Sequence, residues 1–180
     1  MVSADEARDL AEQLLADELP RRFAHVRGVA GQAEHLASVA AHDRSLLVAA
    51  AWLHDIGYAS GLVDTGFHPI DGVRYLRRAE ADERVVNLVA HHSCAVIEAD
   101  LRGLDDVLRD EFPRDTTLPH DELCYCDQTT CPDGEIVDVS ERLAEIRTRY
   151  PEGDVVRRFA DAAESELTEI VRRIEAAQPR

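Results

Sequence analysis

Apolar residues recur along this chain at three- and four-residue spacing almost throughout, and no segment alternates as a half-buried strand would. Residues 3–19 predict a first amphipathic helix, stopped by Pro20. A second is expected over about 21–41, with Val26, Val29, Ala33, Leu36 and Ala40 as its inner stripe. The next segment, "RSLLVAAAWLH", is apolar almost all round, so it should be central, with Asp43 as its cap. A glycine-punctuated loop covers 56–67, and Pro69 suits the first turn of a helix over 69–81. Further helices are expected at 83–92, 103–112 and 119–130, the last ended by "CPDG". Two more cover about 135–148 and 153–177; the final stripe is Val155, Val156, Phe159, Ala163, Leu167, Ile170 and Ile174. Neither a repeat nor a linker interrupts the pattern. It predicts one all-α domain over 1–180, a compact multi-helix bundle with the helices of 135–177 packed on the rest.

Composition sharpens this picture. Hydrophobic residues make up 45% of the 180 and aromatic residues only 5%, so the core should be aliphatic and alanine-rich, which favours close-packed helices. All 20 basic residues are arginine, which excludes a lysine base or Schiff base and fits the usage of a GC-rich bacterial genome. A net charge of −16 argues against non-specific binding to nucleic acid or anionic membrane. No run approaches 18 apolar residues, and "MVSADEARDLAEQ" lacks the apolar stretch of a signal peptide, so a cytoplasmic location is expected. Cys94, Cys124, Cys126 and Cys131 fit no zinc-finger spacing and are expected to be buried free thiols.

The candidate chemistry lies in the histidines. His25 shares a face with Val29, Ala33 and Leu36 and should point inward, while His54 ends the most buried helix. His92 falls on the stripe of Val85, Leu88 and Val89; His91 points about 100° away unless the helix loosens. Pro69 pushes His68 out of helical geometry, to the mouth of the following helix. His54 and Asp55 can face one point only where the helix unwinds into "DIG". Asp127 stands on an otherwise apolar face with Leu123 and Cys124. Imidazole and carboxylate together suit Fe, Mn, Zn or Co. Arg22, one turn before His25, is placed to meet a substrate phosphate. His35, His42 and His120 are expected to be surface or helix-start residues, and Asp71 to satisfy amides where helix four begins.

The order His25, "HD" at 54–55 and a distant Asp127 resembles the HD-domain superfamily of metal-dependent phosphohydrolases. The likeness spans about residues 20–130 and is most specific at "LLVAAAWLHDIG", supported by "RRFAHVRGVAGQAEHLA". "FHPIDGVRYL" and "VAHHS" resemble the extra histidine segments of two-metal members. The resemblance implies an all-helical fold and hydrolysis of phosphate esters, commonly in nucleotides. It implies core metal ligands at His25, His54, Asp55 and Asp127, and second-metal positions at His68, His91 and His92. Tyr58 stands where many signalling members carry lysine, and no GYP motif follows "HHSCAVIEADLRG", so cyclic dinucleotides are not the expected substrate. Arg21 stands where a glutamate would serve a third metal. "CDQTTCPDGEIV" is similar to a bacterial subgroup and points to no particular substrate.

The expected function is therefore metal-dependent hydrolysis of a small phosphorylated molecule, with Asp55 and His54 catalytic, one or two divalent ions as cofactor and Arg22 on the substrate. Two alternatives use the same scaffold: a di-iron oxygenase, and a non-catalytic ligand-binding domain braced by metal.

Overall fold

The computed structural model describes residues 3–36 and 41–178. Ten α-helices and two short 3-10 turns order these residues, with no strand among them. The all-α expectation is met. Helix α1 (Ala4–Leu15) starts at a capping box in which Ser3 and Glu6 satisfy each other's backbone amides. It buries Ala7, Ala11 and Leu15. Pro20 opens α2 (Pro20–His35), where its missing N–H costs nothing. This helix ends nearly two turns before the pattern predicts; Ala40 lies outside the described residues, as does the side chain of His42.

Helix α3 (Ala41–Leu53) is the central element, and every residue from Leu46 to Leu53 is buried. Asp43 lies inside its first turn rather than at its cap, and its carboxylate accepts from Arg84. Ala49, Ala50 and Ala51 let α1 and α2 approach closely, while Leu47 and Leu53 each contribute about 1.5–3 kcal/mol by burial. A 3-10 turn (Ile56–Tyr58) leads toward α4 (His68–Arg78) and α5 (Glu83–Ala90), and α5 packs on α3. From the first turn of α4, Asp71 accepts from the amides of Thr65 and Gly66 in the loop before it, the expected satisfying role.

Beyond α5 the chain departs from its pattern. Residues to which the pattern assigns no element form α6 (Ala95–Arg102), and the helix expected at 103–112 is α7 (Asp105–Glu111). Helix α8 (His120–Gln128) follows, then α9 (Val139–Arg149) and α10 (Val155–Ala177). Leu143 and Ile146 of α9 join Phe159, Ala163, Leu167, Ile170 and Val171 of α10 and Cys124 of α8 in one apolar cluster. Helix α10 thus packs on α8, the helix that carries Asp127, and α9 packs on α10. Cys124 and Cys126 are buried thiols as expected, but Cys94 and Cys131 are only half-buried. No helix among the described residues is long and apolar enough to cross a membrane.

Candidate metal centre

Three of the inward-facing histidines are oriented by backbone carbonyls. His54 sits where α3 unwinds, and its Nδ1 donates to the Ala51 carbonyl three residues back, at 2.7 Å. His92 repeats the device at the end of α5, with Nδ1 2.6 Å from the Val89 carbonyl. On α2, His25 Nδ1 donates to the Cys131 carbonyl at 3.1 Å. A carbonyl can only accept, so Nδ1 carries the hydrogen in all three rings and Nε2 is left to face the core. Metal-ligating histidines are commonly fixed by such an outer hydrogen bond.

Those nitrogens gather in two groups. His25, His54 and Asp127 offer ligand atoms within 4.8 Å of one another, and so do Asp55, His68 and His92. Asp55 stands between them: Oδ2 lies 3.4 Å from His54 Nε2, while Oδ1 lies 3.3 Å from His68 Nε2. His54 Nε2 is buried without a hydrogen-bond partner, although Asp127 Oδ1 is 3.9 Å away. His25 Nε2 meets Asp127 Oδ1 at 2.9 Å, and the Nε2 atoms of His68 and His92 face each other at 3.1 Å. An unpartnered imidazole nitrogen at His54, among carboxylates in a dry core, would be stabilised by a cation beside it. The residues fit divalent transition metal, and the donor set of imidazole with carboxylate matches Fe, Mn, Zn or Co.

Charge reinforces the geometry. Burial would raise the Asp55 carboxyl, but Arg22 and His54 hold it well below the usual carboxylate range. Asp127 is likewise pulled down against burial, chiefly by the His25 ring beside it and by His54. Burial pushes His54 down, yet the two carboxylates override it and raise it to about 9. Burial dominates at His68 and His92, and both are depressed.

Arg22 reaches this site but meets a carboxylate, with Nη1 2.7 Å from Asp55 Oδ2. Its guanidinium lies 4.1 Å over the Tyr58 ring, and Tyr58 stacks on His68 at 4.1 Å and 16°. The aromatic residue that replaces the signalling lysine therefore positions one arginine and one histidine. Ser93, which the helical pattern did not mark, hydrogen-bonds Asp127 Oδ2. Gln128 donates to the same oxygen at 3.0 Å.

One expected metal ligand lies apart from both groups. His91 belongs to neither group; its Nε2 donates to the Phe112 carbonyl at 2.6 Å, and its ring packs on His120. The cause is the turn that follows, where Ser93 and Cys94 adopt φ of 48° and 57°, a left-handed geometry rare outside glycine. That turn swings His92 inward and leaves the preceding histidine on the outer side. His120 opens α8 as expected, but buried rather than at the surface. His35 is exposed as expected. Replacing His92 or His68 by glutamine is expected to lower metal stoichiometry from two ions toward one, whereas His91→Gln retains both. Metal analysis of the three purified variants checks this; equal loss in all three would contradict the grouping.

The HD domain family model matches residues 22–130. Comparison with curated proteins and with solved structures returns no match. The match covers more than half of the chain and includes His25, His54, Asp55, His68, His92 and Asp127, so the helical bundle and its buried histidine–aspartate centre are those of a member of the HD domain family.

Proposed function

We propose that this chain is a metal-dependent phosphohydrolase acting on a small phosphorylated molecule. The observation that carries the reading is Asp55, which turns one carboxylate oxygen toward each histidine group. His25, His54 and Asp127 would hold one ion, His68 and His92 the other, with Asp55 shared. Bound there, divalent ions lower the pKa of water toward 7 and neutralise charge developing on phosphoryl oxygens.

The protein's own contribution is orientation and exclusion of water. Ser93 and Gln128 fix the Asp127 carboxylate, and the backbone carbonyls of Ala51, Val89 and Cys131 fix three imidazoles. Arg22, kept over Tyr58, has its guanidinium on the cavity wall, where a phosphoryl oxygen would replace Asp55 as its partner. The cavity beside the carboxylates has a volume of about 70 Å³ and opens to solvent. A polynucleotide backbone has no basic track to follow on a chain of net charge −16.

The test is a screen of small phosphomonoesters and phosphodiesters with the protein loaded separately with Fe, Mn, Zn and Co. Phosphate release from a small ester, with long DNA and RNA untouched, is expected. Absence of turnover across the panel with two ions bound, or oxygen uptake by the iron-loaded protein in place of phosphate release, would contradict the proposal.

A further inference from the structure

The wall of the same cavity that faces the metal groups is built by α9, beyond the residues that match the HD domain, and it carries unspent hydrogen-bonding capacity. Arg142 is buried to 7% exposure and its Nε has no hydrogen-bond partner. Gln128, buried beside Asp127, commits its Nε2 to that carboxylate and leaves Oε1 without a partner. Arg142 Nη1 pairs with Glu145 at 2.7 Å, and Arg149, one further lining residue, pairs with the other oxygen of the same glutamate. Two guanidiniums thus share one carboxylate, and this wall keeps a net positive charge in a strongly acidic protein. The metal groups and Arg22 already provide for the phosphoryl group, so the α9 wall is surplus to it.

We propose that Arg142 and Arg149 form a second anion subsite that holds a carboxylate on the part of the substrate that is not transferred. A planar carboxylate matches the fork of a guanidinium. The substrate class is then a phosphoester of a hydroxy acid. The inference rests on the reading that this cavity takes a phosphoester, and α9 supplies the specificity that the family-matched core lacks.

The test needs no turnover. Phosphonoacetate and phosphonoacetamide share size and a non-hydrolysable C–P bond and differ in one carboxylate. Calorimetric titration into the metal-loaded protein is expected to show the acid binding about tenfold tighter, the scale of one charge-assisted pair. Arg142→Met, which keeps the buried stem, should bring the two within about threefold; Arg149→Met gives the same readout from a more exposed position if Arg142→Met does not fold. Equal binding of both probes by the unsubstituted protein, or a preference that survives both substitutions, overturns the subsite. Methylenediphosphonate binding tighter than phosphonoacetate would overturn the assignment of a carboxylate. If the preference holds while no phosphoester is hydrolysed, the hydrolase reading fails and the subsite stands.

Discussion

Replacing Asp55 by alanine is expected to strip the protein of bound metal, from two ions to less than one, and to cut turnover about a thousandfold or more. No other carboxylate among the described residues lies between the two ligand groups, with one oxygen 3.4 Å from His54 Nε2 and the other 3.3 Å from His68 Nε2. Its removal also leaves Arg22 without its 2.7 Å partner, so a fall in thermal stability should accompany the loss. The helical fold itself should survive, because Asp55 caps no helix by side-chain hydrogen bond and the surrounding apolar cluster is untouched. Asp55→Asn separates charge from shape: similar volume, weaker metal retention and the same direction in activity. Metal analysis and circular dichroism on the same samples read this directly. Full metal content and turnover in Asp55→Ala would remove the basis of the site.

The second large effect concerns packing. Gly57→Ala is expected to destabilise the chain by about 3 kcal/mol, at the upper end for an overpacked core, which corresponds to a melting temperature lower by about 6–12 °C at this size. A Cβ at Gly57 would fall 2.0 Å from the His68 carbonyl oxygen and 2.7 Å from the Gly72 amide nitrogen. Both are backbone atoms of α4, so no side chain can turn aside. The turn would have to lift off the start of α4, and His68 starts that helix. Loss of the second ion should therefore accompany the loss of stability. Gly31→Ala is the control, because its Cβ meets nothing within 4 Å and the residue is in a helix, where alanine is preferred. Thermal denaturation of the two variants beside the unsubstituted protein makes the comparison. Equal melting temperatures would mean that the approach of the HDIG turn to α4 is looser than described.

The glycine of "HDIG" was legible in the sequence as the place where a helix unwinds, but its packing against α4 was not. The same division runs through the site. His25, His54 and Asp127 were readable because helical phase places them among apolar neighbours, and burial among such neighbours is what phase reports. Phase also favoured His92, yet nothing local excluded His91, because the deciding turn uses Ser93 and Cys94 at positive φ where glycine would have been the signal. That same turn hid α6, whose first residues follow directly from it with no side-chain cap. Asp43 looked like a cap in sequence, but α3 begins before it, and its carboxylate serves Arg84 instead. Arg142 was least legible of all. On α9 it reads as a charged residue of an amphipathic helix, and only the packing of α9 on α10 turns it into a wall of the cavity beside the metal groups.

The central claim is that two adjacent groups of histidine and aspartate each hold a divalent ion. Anomalous diffraction from crystals of protein purified without chelators, recorded above and below the absorption edge of the metal found by elemental analysis, tests it most directly. The account predicts two peaks per chain, one bounded by His25, His54 and Asp127 and the other by His68 and His92, with Asp55 in contact with both. A single peak, or a peak outside these residues, would contradict it.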